Sequence, residues 1–365
     1  VILLPVLQKS YLHERKKVKT PFSPIYRVGG LLFYKGGNGM FLNNRKAPKE
    51  LLYWNALDLR SNLSSNERYI LRTLQKGYEG ECLYDKIFDE IGHENTYILR
   101  DIYLSAGKAA AQYDSIIISG NRVVVNEVKN ISGDYRFENN NWYKNGRELS
   151  DNAFAQLSRA KGRLKKLRNE CRLNFEVEGN LIFPNDDFRL TTENQYVLKE
   201  TVLRNHMRKY FRQFKDERLS ANAMNIAEII QENAVENPYF NESADIFQIR
   251  RGLYCGQCKT FDLYKGRFQM SCNRCGSVES NETHLLRAMG DFEILFSGVP
   301  MTRSALLYFI DFQISRTAVY KVLKKHCDIT GQGRNTAYKL KYAEVAEVIA
   351  KIRETQRYKD RITQI

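Results

Sequence analysis

The residues of this chain best suited to chemistry lie between positions 112 and 130, where Gln112, Asp114, Glu127 and Lys129 stand on two β-branched stretches joined at Gly120-Asn121. A Gly-first pair between such stretches predicts a tight hairpin turn, and the turn fixes the register. With Ser119 facing Arg122, Asp114 lies opposite Glu127 and Gln112 opposite Lys129, because residues on one face of a strand step by two. Ile116, Ile118, Val123 and Val125 continue that face, so the polar groups sit at the open end of an apolar surface. Two carboxylates opposed across a ladder repel, and a half-buried charge without a partner costs several kcal/mol. A divalent cation between them reverses the sign. The plainer alternative is an exposed strand end where Glu127 and Lys129 form a surface ion pair.

Four cysteines make the second constellation. Cys255-Gly-Gln-Cys258 and Cys272-Asn-Arg-Cys275 are two Cys-x-x-Cys knuckles with thirteen residues between them. Each knuckle turns both sulfurs toward one ion and the intervening hairpin closes a tetrahedron, which is the spacing of a structural Zn2+ site. Four sulfurs leave no open position for water, so this ion holds a small ribbon together and does not catalyse. Cys82, Cys171 and Cys327 have no partners at meaningful spacing and read as reduced thiols of a cytoplasmic protein.

An Asp on one strand followed by Glu-x-Lys on the next resembles the active-site signature of the restriction-endonuclease-like PD-(D/E)XK nucleases. The surrounding residues resemble its nuclease-related (NERD) branch over residues 48–190. The resemblance is carried by Gly77-Tyr-Glu-Gly-Glu81, Gln112-x-Asp114, Glu127-Val-Lys129-Asn130 with Gly133 after it, Trp142, and Asn152 to Gln156. Ser115 and Asn126 depart from it, standing where the family usually has a His or an apolar residue, which bears on substrate preference more than on catalysis. The resemblance implies an α/β fold, a restriction-endonuclease-like mixed sheet flanked by helices. It implies that Asp114 and Glu127 hold Mg2+ or Mn2+ with the Val128 carbonyl, and that Lys129 positions or deprotonates water and offsets charge on the pentavalent phosphate. Gln112, Glu81 and Gln156 are the supporting groups, with Glu81 pointing toward the carboxylates from a helix.

Placing these groups requires elements on both sides of the hairpin. Residues 49–91 read as helical, with Ser64-Ser65-Asn66 as caps and Gly77 and Gly80 on one side, suited to close approach to the sheet. Strands are expected at Tyr97 to Leu104 and Tyr135 to Tyr143, then a helix from Asn152 to Cys171. That helix carries an apolar stripe of Leu157, Ala160, Leu164 and Leu167 beside a basic flank of Arg159, Lys161, Arg163, Lys165, Lys166 and Arg168. Gly179-Asn180 looks like a turn before a buried parallel strand at Leu181 to Phe183. Leu198 to Phe214 and Ala221 to Val235 read as connecting helices.

Near the other end, Thr302 and Ser315 are placed to cap two helices separated by a short turn, a helix-turn-helix pattern. The second helix presents Arg316, Tyr320, Lys321, Lys324 and Lys325, and Gly331-Gln-Gly-Arg334-Asn335 forms a basic turn suited to a wing. A net charge of +15 over 365 residues, 43% hydrophobic and 27% charged, is a globular profile with a field that attracts polyanions. The apolar run Val1 to Leu7 is far short of the ~20 residues that span a bilayer, and too short for a secretory signal.

The expected domains are residues 1–47, an arm of unknown role; 48–190, nuclease-like; 191–247, a helical connector; 248–282, the zinc ribbon; and 283–365, a mainly helical, winged-helix-like module. Lys35-Gly-Gly before Met40 is what a translated ribosome-binding sequence looks like, so residues 1–39 also read as a start-site artefact. The sequence points to a cytoplasmic, metal-dependent nuclease whose partner is DNA. The alternatives are a non-catalytic DNA-binding regulator that keeps a nuclease fold, and an RNA-cleaving nuclease.

Overall fold

A computed structural model describes residues 26–28, 31–36, 39–41, 43–106, 109–217, 220–342, 344–355 and 359–363. The chain forms two compact units, residues 1–45 with 83–234 and residues 46–82 with 235–365. Strands β1 (Tyr26–Val28), β2 (Leu31–Gly36) and β3 (Gly39–Phe41) come first, from residues that the sequence left in an arm without a role. Of residues 1–39, which also read as a start-site artefact, 1–25, 29–30 and 37–38 lie outside the described residues. Helices α1 (Lys49–Arg60) and α2 (Ser65–Ile91) follow. Ser64 and Glu67 cap α2 reciprocally, Ser64 N donating to Glu67 Oε2 at 2.7 Å and Glu67 N to Ser64 Oγ at 3.3 Å. Gly77 is not a point of close approach, since a Cβ there would meet nothing within 4 Å.

The first unit is built on β4 (His93–Ala106), β5 (Ala109–Ser119) and β6 (Arg122–Val128). A side sheet then forms from β7 (Gly133–Glu138), β8 (Asn141–Lys144) and β9 (Arg147–Glu148). After α3 (Ala153–Glu170) come β10 (Glu176–Phe183) and β11 (Phe188–Thr191). The unit ends with α4 (Gln195–Glu200), β12 (Thr201–Leu203), α5 (Met207–Arg212), α6 (Ala221–Glu232) and the short β13 (Ala234–Val235). The main sheet runs β1-β2-β3-β4-β5-β6-β10-β12. β4 to β6 are antiparallel, whereas β10 lies parallel to β6 through the α3 crossover.

Both faces of the β4-β5-β6-β10 part of this sheet are covered. Leu157, Ala160 and Leu164 of α3 and Ile226 and Ile230 of α6 pack on Leu99, Ile116, Ile118, Val123 and Val125. Tyr84, Ile87 and Phe88 of α2 and Phe211 of α5 pack on Ile98, Ile117, Val124 and Ile182. Two sequence expectations change here. Gly179 is inside β10 and not in a turn, because α3 crosses it so closely that a Cβ would meet Leu157 Cδ1 at 2.8 Å and Lys161 Cδ at 2.9 Å. The expected helix at 198–214 is interrupted by β12, where β-branched Thr201 and Val202 pair with Leu181 and Ile182. Residues 191–234 therefore complete the first unit.

The second unit contains a three-stranded sheet, β14 (Leu263–Lys265), β15 (Gln269–Cys272) and β16 (Val278–Ser280), and then α7 (Asn281–Leu295). α8 (Arg303–Phe309) and α9 (Arg316–His326) follow, then the hairpin β17 (Cys327–Thr330) and β18 (Ala337–Leu340), and α10 (Val345–Thr355). α1 belongs to this unit, whereas the sequence grouped it with the nuclease-like region. Its Tyr53 and Ala56 join Leu285, Leu286 and Met289 of α7 in one core. Its Arg60 is 2% exposed and reaches Asp291 at 2.8 Å, a charge pair that only this packing satisfies.

Candidate active site

The β5–β6 ladder has the register that its turn predicts, with Ser119 opposite Arg122 and Ser115 opposite Asn126. Gly120 takes φ +55°, the left-handed conformation that a tight hairpin turn requires. At Asp114 the ladder opens. On the other side of β5, Arg100 pairs Ser115 and Ile102 pairs Tyr113, leaving Asp101, at φ +46°, and Asp114 as the residues between those pairs. The Asp114 side chain then lies along the ladder direction, and its Oδ2 accepts from the Val128 backbone N–H at 2.8 Å. A carboxylate here takes the place of a strand carbonyl.

This irregularity corrects the expected face of Gln112. Tyr113 packs with Ile116 and Ile118, and its hydroxyl donates to the Ala160 carbonyl of α3 at 3.0 Å. Successive strand residues alternate, so Gln112 points away from α3. It is exposed, and its Nε2 donates to Asp101 Oδ1 at 2.9 Å. Two-residue stepping from the turn failed because β4 and β5 each carry an irregular residue.

Glu127 follows Val125 by two residues and so shares the α3 face. Its Oε1 lies 2.8 Å from Lys129 Nζ, with the two side chains 13% and 29% exposed. Burial alone pushes the Lys129 ammonium down, but the charges of Glu127 and Asp114, the hydrogen bond to Glu127 and the charge of Asp151 hold it above its ordinary value. Asp151, which the sequence did not single out, directly precedes Asn152, the residue whose side chain caps α3. Gln156 stands in the first turns of α3, and its Oε1 is buried with no hydrogen-bond partner among the described residues. Glu81 lies on α2, in the stretch that belongs to the second unit.

Two groups behind these residues come from distant parts of the sequence. Arg45 Nη2 donates to the Asp114 carbonyl at 2.8 Å, and its Nε donates to buried Asp85 at 2.6 Å. Burial pushes the Asp85 carboxyl up, with Arg45 and Arg100 opposing that shift. On the sheet face opposite α3, the Tyr84 hydroxyl lies 2.7 Å from Asn126 Nδ2 and 3.2 Å from Ser115 Oγ. Tyr210 donates to Asn126 Oδ1 at 2.6 Å and accepts from Asn180 Nδ2 at 2.8 Å. Burial pushes Tyr84 up to about 12, so its hydroxyl stays a neutral donor and acceptor. Ser115 and Asn126, the two departures from the nuclease pattern, are thus register partners buried in one polar network, each next in sequence to a carboxylate.

In the second unit the Sγ atoms of Cys255, Cys258, Cys272 and Cys275 all lie within 4.8 Å of one another, with Cys255–Cys275 at 3.6 Å and Cys258–Cys272 at 3.4 Å. Tetrahedral Zn–S bonds of ~2.3 Å require sulfurs about 3.8 Å apart, so this set fits zinc. Gln257 N and Cys275 N each donate to a cysteine sulfur at 3.4 Å, the backbone support of a knuckle. Gly256 lets the first knuckle close on a buried carboxylate, since a Cβ there would meet Glu279 Oε1 at 2.5 Å. Glu279 accepts from Gly256 N at 2.7 Å and is paired with Arg287 and Arg353.

α8 and α9 are capped by Thr302 and Ser315 as their positions predict. Arg316, Tyr320, Lys321 and Lys324 are exposed on α9. Lys325 is exposed too, but its Nζ lies 2.7 Å from Glu282, which also accepts from His326 at 2.6 Å. The side chain of Arg334 lies outside the described residues. On α3 the basic flank is partly committed to the fold. Lys161 pairs with Glu200 at 2.6 Å, and Arg163 and Arg168 donate to the carbonyls of Ala110 and Phe175.

Residues 76–184 match the family model NERD, described as a nuclease-related domain. No curated protein and no solved structure matches the chain. The match covers the carboxylate site and suggests a nuclease-like function for the first unit. Among the described residues no helix is long and apolar enough to cross a membrane.

Proposed function

We propose that the chain is a metal-dependent nuclease that hydrolyses phosphodiester bonds in DNA. One observation carries this reading: Asp114 reaches across the opened ladder to the N–H of Val128, between Glu127 and Lys129, within the nuclease-related match. Asp114 and Glu127, with the Val128 carbonyl, supply the oxygen donors that suit Mg2+ or Mn2+. In extended backbone the N–H and C=O of one residue point to the same side, so the Val128 carbonyl faces Asp114. When bound, such an ion polarises the phosphoryl oxygen and makes a water acidic enough to attack.

The chain's own residues do the rest. Lys129 is the cation at the strand end, placed to orient the attacking water and to offset charge gathering on the phosphate. Gln156 brings a buried acceptor without a partner among the described residues, suited to a hydrogen on that water or on a second ligand. The four-sulfur site fits a structural Zn2+. α8, α9 and the β17–β18 hairpin make a helix-turn-helix and wing, with Arg316, Tyr320, Lys321 and Lys324 set for a phosphate backbone.

The regulator alternative draws on the Glu127–Lys129 pair, in which each charge already satisfies the other. Cleavage assays separate the two. Wild type, Asp114→Ala and Glu127→Ala are incubated with single- and double-stranded DNA and RNA in Mg2+, Mn2+ or EDTA. The expected result is metal-dependent DNA cleavage that falls by on the order of 10³-fold in either variant while DNA binding persists. Cleavage unchanged in both variants removes this site. Binding without any cleavage by the wild type supports the regulator.

A further inference from the structure

We propose that the β14–β15 hairpin of the four-cysteine ribbon is a second nucleic-acid site, one that grips an unpaired DNA strand by stacking. The inference rests on the nucleic-acid reading above but concerns residues far in sequence from both the carboxylates and α9. Tyr264 and Phe268 stand 69% and 43% exposed on this hairpin. Lys265 and Arg267 alternate with them and are exposed, and the Arg267 guanidinium lies 5.0 Å from the Phe268 ring centroid. Residues 263–271 contain no Asp or Glu. Asp262, exposed at the base of the hairpin, accepts from Asn273 Nδ2 at 2.6 Å, and toward the tip exposed rings interleaved with cations complement bases strung on phosphates, the rings by stacking and the cations by offsetting backbone charge.

The hairpin is also held rigid, so that little order must be gained on binding. Gly266 N donates to the Gln269 carbonyl at 2.9 Å, and a Cβ at Gly266 would meet that oxygen at 2.7 Å, which fixes a tight tip. Asn281, the first residue of α7, pins the next two positions. Its N donates to the Phe268 carbonyl at 2.9 Å and its Nδ2 to the Arg267 carbonyl at 3.2 Å. Gln269 Nε2 donates to the Lys359 carbonyl at 2.9 Å. At the base, Leu263 pairs with Cys272, one of the four sulfur ligands, so the zinc site anchors the platform. A duplex hides its base faces in the stack, and unpaired bases expose them, which favours single strands here.

The experiment compares full-length, zinc-loaded wild type with Tyr264→Ala/Phe268→Ala and with Tyr264→Phe/Phe268→Tyr. Fluorescence anisotropy reads binding to oligodeoxythymidine, to a DNA duplex and to oligouridine. The alanine pair should lose on the order of 100-fold in affinity for oligodeoxythymidine, about tenfold per ring, with its duplex affinity and zinc content unchanged. The conservative pair, which keeps both rings, should bind as wild type. Unchanged oligodeoxythymidine binding in the alanine pair overturns the proposal, as does a wild type that does not bind unpaired DNA, an equal loss on duplex, or a loss confined to oligouridine. The outcomes stay separate from the nuclease reading. A wild type that cleaves DNA beside an alanine pair that binds normally sinks only the hairpin, and a wild type that binds through the hairpin yet never cleaves sinks only the nuclease.

Discussion

At the four-sulfur site, Cys255 and Cys275 are twenty residues apart in sequence and meet at 3.6 Å. Two short knuckles and one hairpin bring all four sulfurs together, with the backbone of the same knuckles donating to them. At the carboxylate site the pieces are equally near in sequence, with Asp114 fourteen residues from Val128, yet local geometry does not place them. Asp114 is aimed by a break in pairing with β4, its carbonyl is held by Arg45, and the strands behind it are tied through Tyr84 and Tyr210. A site whose ligands supply their own scaffold is robust to what surrounds it. A site aimed by a sheet depends on partners spread over the unit.

The largest effect should come from breaking the self-contained site. Cys272→Ser removes a sulfur from a shell worth about 10–16 kcal/mol in small zinc domains, so the ribbon should lose zinc and unfold. Metal analysis should then fall from one zinc per chain toward none, and amides of β14 and β15 should lose hydrogen-exchange protection. Asp114→Ala should leave the zinc content at one per chain. Zinc retained in Cys272→Ser would contradict the assignment.

A smaller effect is expected at the carboxylate site, where the comparison predicts sensitivity to a residue that touches no ligand. Tyr84→Phe leaves Asn126 and Ser115 short of a buried partner, at a cost of about 1–3 kcal/mol. Tm should fall by several degrees, zinc content should not change, and cleavage should drop at saturating DNA more than DNA affinity does. Cleavage that falls only in proportion to lost folded protein would mean that the network serves stability alone. Asp114→Asn sharpens the point. Its amide oxygen still accepts from Val128 N, so it should be more stable than Asp114→Ala while equally inactive.

The smallest effect concerns α7 and α9. His326 and Lys325 donate to Glu282 and, against its partial burial, hold its pKa at about 2, below an ordinary value of 4.5. The folded pKa is depressed, so the stabilisation is complete above the ordinary value and is lost as pH falls from about 4.5 toward about 2. Over that window Tm should decline more steeply in wild type than in Glu282→Gln. Parallel declines would show that the contact contributes nothing in solution.

How much was legible in advance varies by residue. Ser119 opposite Arg122 followed from Gly120-Asn121, and the start of α3 near Asn152 and the parallel β10 followed from local pattern. Gln112 was put on the wrong face because a strand irregularity resets the two-residue alternation and leaves no mark in composition. Gly179 looked like a turn because glycine serves both turns and close packing, and only the nearness of Leu157 and Lys161 distinguishes them. Arg45, sixty-nine residues from Asp114, carried no signal.

By itself the sequence determined the groups available for chemistry, the hairpin register next to its turn and the cysteine spacing, all of which depend on neighbours a few residues apart. Only the tertiary structure decided where Asp114 points, that Ser115 and Asn126 share one buried network, and that α1 packs with α7. Those outcomes depend on which distant chain segment satisfies a buried polar group or fills a given space. That choice is made by the energy of the whole packed unit, and no local run of residues encodes it.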